Sequence, residues 1–140
     1  MKRKRERRMK MASIIVDTCI WIEYFKGCPT IKEELENLMR AHSLCLCGIV
    51  IYELFQGIKD PKEKEMVRTD FEAFPYLEMN RSTWEIAANL SLSLRNRGIT
   101  IPSSDLILAS LAIKNKCMVF TNDAHFDKIP DTYIYQPKKL

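Results

Sequence analysis

Two hydrophobic rhythms alternate along the chain. Short apolar runs at Ser13 to Val16, Leu44 to Cys47 and Cys117 to Thr121 read as strands buried on both faces. Weaker strand candidates follow at Tyr76 to Met79 and Thr132 to Tyr135. The segments between them repeat every three to four residues. Apolar positions 20, 21, 24 and 25 predict a helix over Cys19 to Lys26, stopped by Gly27 and Pro29. Ile31, Leu35, Leu38 and Met39 predict another from Thr30, where Thr30-x-x-Glu33 has the spacing of a capping box. Ile49 to Ile58 reads as a mostly buried helix and Pro61 to Phe74 as a more charged, amphipathic one. Arg81 to Arg97 carries Ile86, Leu90 and Leu94 on one stripe, with Gly98 as its C-terminal stop. Pro102 breaks the chain, Ser103 reads as an N-cap, and Asp105 to Asn115 forms the last helix. Strands alternating with helices predict a parallel sheet covered on both faces, a three-layer α/β/α domain.

With 140 residues, 46% of them hydrophobic and 29% charged, the chain suits one globular domain. The net charge of +4 conceals an asymmetry. The stretch Met1 to Lys10 holds seven basic residues and one Glu, so the rest of the chain is mildly acidic. Residues 1–11 are expected to be a basic, disordered leader, and residues 12–137 a single domain. The leader has two readings, an over-extended start or an arm that touches RNA without sequence preference. No apolar run approaches the roughly 20 residues that span a bilayer. Asp17 interrupts the apolar run after the basic start, so no signal peptide is expected. The five cysteines show no C-x-x-C spacing and are expected to be reduced core thiols in a cytoplasmic protein.

In a parallel α/β sheet, ligands bind beyond the carboxyl ends of the strands, where strand order reverses. Four acidic residues fall at such places. Asp17 follows the first strand, Glu53 lies near the start of the helix after the second, Asp105 opens the last helix, and Asp123 follows Thr121. Each has an ordinary alternative. Asp17 suits an N-cap, Asp105 a charge complementing a helix dipole, and Asp123 a turn. Glu53, flanked by Tyr52, Leu54 and Phe55, has the least polar surroundings. Together, carboxylates gathered at one sheet edge repel one another, and a divalent cation relieves that repulsion. Hard oxygen donors suit Mg²⁺ or Mn²⁺ better than zinc. His42 and His125 have no ligand spacing and are expected not to be ligands. Carboxylate-held Mg²⁺ suits phosphodiester hydrolysis, because it activates water and stabilises charge on the phosphoryl oxygens.

The segments Ile-Val-Asp17-Thr18-Cys-Ile-Trp-Ile, Tyr-Glu53-Leu-Phe-Gln-Gly57, Asp105-Leu-Ile-Leu-Ala-Ser-Leu-Ala112 and Val-Phe-Thr121-Asn-Asp123-Ala-His-Phe126 resemble the four signature regions of PIN-domain nucleases, in the same order. Within them the chain resembles the compact VapC-type toxins of toxin–antitoxin pairs, over about residues 12–137. The resemblance implies a five-stranded parallel sheet of order 3-2-1-4-5. It implies a Mg²⁺- or Mn²⁺-dependent endoribonuclease, with structured RNA such as tRNA as a substrate class, using Asp17, Glu53, Asp105 and Asp123 as metal-holding catalytic residues. Thr18 and Thr121 would orient a carboxylate or water, and Asp127, one step past the Thr-x-Asp-x-x-Phe pattern, would add an outer charge. It further implies a homodimer, a VapB-like antitoxin that blocks the site, and no membrane association. The departures are Cys19, Cys47 and Val50, where hydroxylated residues are commoner.

Other classes fit less well. A receiver-type phosphoacceptor domain needs a late Lys after a strand, where this chain has Thr-Asn-Asp. A haloacid-dehalogenase-type phosphatase needs Asp-x-Asp, where this chain has Asp17-Thr-Cys19. No G-x-G-x-x-G or Walker A run exists. A PIN-like module kept for protein contacts alone stays open. Trp21, Tyr24 and Phe25 read as core or protomer packing, with a base-stacking platform or an antitoxin groove as the alternative. Arg95, Arg97, Lys114 and Lys116 either track RNA phosphates around the acidic centre or cap helix ends.

Overall fold

The computed structural model describes residues 13–137. The expected basic leader therefore lies outside the described residues. Four parallel strands form the sheet: β1 (Ile14–Val16), β2 (Leu44–Cys47), β3 (Tyr76–Leu77) and β4 (Met118–Phe120). Their order is β3-β2-β1-β4. The helices are α1 (Thr18–Phe25), α2 (Pro29–Arg40), α3 (Gly48–Phe55), α4 (Pro61–Phe71), α5 (Arg81–Asn96) and α6 (Ser103–Asn115), followed by a 3-10 turn over Ala124–Lys128. The chain steps outward from β1 to β2 to β3, then crosses back to lay β4 on the other side of β1. Right-handed crossovers running in opposite senses put the helices on both faces, which is the three-layer α/β/α arrangement.

The sheet differs from the expectation in one respect. The fifth strand is reduced to a single parallel bridge, Ile134 against Val119, in the expected place beside β4. The Val119 amide donates to the Tyr133 carbonyl and the Tyr135 amide to the Val119 carbonyl, and the ladder goes no further. Asp131 holds a left-handed φ of 60° just before this segment. Pro137, just after it, has no N–H to extend the pairing. Instead, the Tyr135 hydroxyl donates to Glu34 Oε1 on α2 at 2.6 Å, which partners a carboxylate that is otherwise buried.

β1 is buried at all three positions, as are β2 and β4, so their apolar runs show no alternation. α6 is also apolar on most of its surface. Leu106, Leu108, Ala109, Leu111 and Ala112 are all buried, and it packs against α5, α3 and β4. The buried Ser110 hydroxyl returns to the Leu106 carbonyl at 2.6 Å, so it leaves no polar debt in the core.

Two expected caps are replaced. α2 starts at Pro29 with Cys28 as its N-cap and no side-chain capping bond, so the Thr30–Glu33 box does not form. α6 starts at Ser103 itself with Pro102 as N-cap. In both cases proline's fixed φ starts or precedes the helix without a side-chain cap. α5 ends as expected, with Gly98 at φ 77° in the left-handed region beyond the Arg97 cap. All five cysteines are free thiols. The neighbouring Cys45 sulfur and burial push the Cys117 thiol up, holding it protonated.

Candidate functional site

The site forms where β1 lies between β2 and β4, at the reversal of strand order. Val16 pairs with Phe120, so the residues one step beyond each strand, Asp17 and Thr121, come side by side. The Asp17 amide donates to the Phe120 carbonyl at 2.9 Å, holding this register past the strand ends. Asp17 serves at once as the N-cap of α1 and as a buried carboxylate, 7% exposed. Its Oδ1 accepts from the Thr18 amide at 2.8 Å, and its Oδ2 accepts from the Thr121 hydroxyl at 2.7 Å and the Cys19 thiol at 3.5 Å. Asp17 is thus the expected N-cap and, at the same time, a buried carboxylate just beyond the strand end.

Thr18 turns the other way. Its hydroxyl donates to Glu53 Oε1 at 2.7 Å, joining α1 to the half-buried carboxylate on α3. Thr121 is the second link. Its oxygen donates to Asp17 and accepts the Asp123 amide at 2.9 Å, tying β1 to the loop that carries Asp123. Each threonine hydroxyl thus donates to one carboxylate, Thr18 to Glu53 and Thr121 to Asp17.

Asp105 arrives from α6, in its first turn and 9% exposed. Its Oδ2 lies 3.0 Å from His125 Nδ1, and the same nitrogen lies 3.0 Å from Asp123 Oδ1. Asp123 is the N-cap of the 3-10 turn and accepts the His125 amide at 2.9 Å, which fixes the imidazole beside it. Phe126, fully buried, anchors this turn in the core.

His125 was expected not to be a ligand, and the structure places it in the middle of the site. Asp105, Asp123 and His125 form the one group among the described residues whose donor atoms lie within 4.8 Å of one another. The signal available in the sequence was its place two residues beyond Asp123, in the loop leaving a strand end. Fixed ligand spacing is a weak guide where each ligand comes from a different element. Asp127 sits in the same 3-10 turn, half-buried, and is not a member of that group.

The electrostatics follow from the crowding. Burial pushes the Asp105 carboxyl up to about 6, reinforced by the charges of Asp123 and Asp17 and opposed by the hydrogen bond from His125. Burial also raises Asp17, against the hydrogen bonds from Thr121 and Thr18, with Glu53 adding to the rise. The Cys19 thiol is raised by burial and by Asp17, which keeps it protonated as a donor. Cys47 is pushed up to about 11 by burial, with Asp17 and Glu53 adding to it. Burial is the larger cause of the Asp17 and Asp105 rises and the neighbouring carboxylates add to it, so negative charge here is both poorly solvated and crowded. That charge, on hard oxygen donors with one imidazole, fits a divalent cation.

Features outside the carboxylates resolve unevenly. Trp21 is buried, in contact with Phe71 at a centroid distance of 4.9 Å, and Phe25 is exposed. With Tyr24, Met39 and Phe74 they line a cavity of about 650 Å³ that none of the four carboxylates borders. Lys114 and Lys116 lie at the far end of α6, about 14 Å along its axis from Asp105, and complement that helix end. They do not ring the acidic centre. No helix among the described residues is long and apolar enough to cross a membrane.

Comparison with known proteins bears directly on this geometry. A VapC ribonuclease of Mycobacterium bovis is 27% identical over 121 residues, covering 83% of this chain and 90% of its own. Ribonuclease VapC1 of Methanocaldococcus jannaschii is 27% identical over 131 residues, covering 93% of this chain and 90% of its own. Among solved structures, the DNA-bound VapBC of Salmonella typhimurium superposes with a TM-score of 0.76 at 21% identity, covering 88% of this chain and 96% of that one. The promoter-bound VapBC2 of Rickettsia felis gives 0.73 at 23% identity with the same coverage. The family model for the PIN domain matches residues 14–131, a span that holds all four carboxylates, and the chain belongs to the PIN-domain family.

Proposed function

We propose that this protein is a metal-dependent endoribonuclease, the toxin of a VapBC-type pair, which hydrolyses phosphodiester bonds in structured RNA such as tRNA. The observation that supports it most is that Asp17, Glu53, Asp105 and Asp123 act on one another's charge in succession, with Asp105 and Asp123 at ligand distance of each other, in a PIN-domain chain similar to named VapC ribonucleases. Asp17, Glu53, Asp105 and Asp123 would hold Mg²⁺ or Mn²⁺. Bound there, the ion supplies an activated water and neutralises charge on the phosphoryl oxygens.

The chain's own residues do the positioning. Thr121 and the Thr18 amide fix the rotamer of Asp17, and the Thr18 hydroxyl fixes Glu53. Donors already aligned before substrate arrives need no reorganisation during the reaction. Asp105 and Asp123, brought from α6 and from the loop after β4, complete the negative pole. Asp127 would add charge at its margin. The VapBC assemblies among the structural neighbours support a VapB-like antitoxin as partner. The toxin would act as a homodimer.

The test is cleavage of purified RNA by the purified protein with added Mg²⁺ or Mn²⁺. EDTA is expected to abolish it. Asp17→Asn keeps the cap but removes the charge, and is expected to lower the rate about a thousandfold or more. A variant as active as the wild type would end the nuclease reading and favour a module kept for protein contacts.

A further inference from the structure

We infer that His125 is a direct nitrogen ligand of the bound ion, and that it makes this centre prefer Mn²⁺ over Mg²⁺. The inference rests on the metal-centre reading above and adds a donor that a purely carboxylate set lacks.

The geometry carries it. His125 Nδ1 is 3.0 Å from Asp105 Oδ2 and 3.0 Å from Asp123 Oδ1. Two donors at right angles, each about 2.1 Å from one small divalent ion, stand about 3.0 Å apart. The imidazole nitrogen therefore already holds the spacing of adjacent corners in an octahedral shell. The same nitrogen is hydrogen-bonded to Asp105 Oδ2 and stands at the same distance from Asp123 Oδ1, so it faces both carboxylates at once. The Nε2–H tautomer of a neutral imidazole would present the Nδ1 lone pair to an ion seated between those carboxylates.

The ring is held where this role needs it. The His125 amide donates to Asp123 Oδ1 at 2.9 Å, and Phe126 next in the chain is fully buried. Ring and carboxylate are thus fixed to each other by the backbone of one turn. The side chain is 44% exposed, so the ring can change tautomer through solvent without unfolding the turn.

Donor chemistry then sets the preference. Mg²⁺ takes oxygen donors and gives up water reluctantly, so replacing a water with imidazole gains it little. Mn²⁺ shares the carboxylate and water ligands that suit Mg²⁺, but it also stands, at the weak end, in the transition-metal series whose affinity for nitrogen donors Mg²⁺ lacks. The ranking between the two ions should therefore follow the nitrogen.

The assignment is open to a direct test, because the chain has two histidines and His42 lines the separate aromatic cavity. Pulsed electron paramagnetic resonance of Mn²⁺ bound to the full-length protein should show modulation from a coordinated ¹⁴N. His125→Asn keeps an amide donor near the Nδ1 position, and should erase that modulation while the protein stays folded. Calorimetric titration should show the Mn²⁺ Kd weakened about tenfold or more in His125→Asn, with the Mg²⁺ Kd within about twofold of wild type. Bound Mn²⁺ with no nitrogen modulation, or equal changes for both ions, would overturn the inference and leave the metal centre standing. Wild-type protein that binds neither ion would overturn both.

Discussion

The two halves of the carboxylate site hold their charge by different means. Around Asp17 and Glu53 the donors are neutral: the Thr121 and Thr18 hydroxyls, the Thr18 amide and the Cys19 thiol. Around Asp105 and Asp123 one imidazole nitrogen stands 3.0 Å from an oxygen of each carboxylate. Neutral donors from the strand ends preorganise a carboxylate and leave its charge in place. An imidazole nitrogen is donor or acceptor according to its tautomer, so it can face either a carboxylate or a cation. The first half is therefore a rigid seat, and the second is where occupancy alters the bonding.

The comparison can be broken most severely at Phe126. Phe126→Ala removes a fully buried ring from the turn that carries Asp123 and His125, and is expected to cost about 3–5 kcal/mol in chemical denaturation. A loss below about 1 kcal/mol would mean that the imidazole half is not anchored by the core.

Thr121→Val strikes the link between the halves. It keeps the shape but removes the donor to Asp17 Oδ2 and the acceptor of the Asp123 amide. The expected cost is about 1–3 kcal/mol, with cleavage lowered about 10–100-fold. If Thr121→Ser fails to restore the rate, the hydroxyl is not what joins the halves.

The smallest effect sharpens the electrostatic contrast. Burial raises Asp105 from 3.8 to about 6, so its folded form holds the proton more tightly than the unfolded chain does. Its contribution to stability is fully present below about pH 4 and is lost as the pH rises through about 6. Asp105→Asn cannot ionise. In EDTA it should melt a few degrees above wild type at pH 7, with the gap closing toward pH 4. Parallel melting curves across that range would show that the Asp105 charge is fully compensated by its neighbours.

Much of the fold was legible locally. The strands β1, β2 and β4 announce themselves because both of their faces are buried, which forces unbroken apolar runs. The acidic positions were legible for the same reason, since a carboxylate stands out against apolar flanks. The caps of α2 and α6 misled because a capping spacing records what a side chain could do, while proline decided where each helix starts. The fifth strand shrank to a bridge because left-handed Asp131 and Pro137 bound it too closely for a ladder. Lys114 and Lys116 looked like companions of Asp105 in sequence, yet a straight helix holds them at its opposite end.

His125 marks the boundary between the two kinds of information. The sequence by itself determined the alternation of strands and helices, and with it the placing of Asp17 and Asp123 just beyond strand ends and of Asp105 at a helix start. It did so because burial and helical period are local properties of neighbouring residues. Glu53, by contrast, was expected near the start of α3 and lies near its end. Only the tertiary structure decided which atoms meet. The β1–β4 register sets Asp17 beside Thr121, and the turn anchored by Phe126 sets one imidazole nitrogen between carboxylates from different elements. A distance of 3.0 Å between residues twenty positions apart follows from packing, and no spacing rule along the chain encodes it.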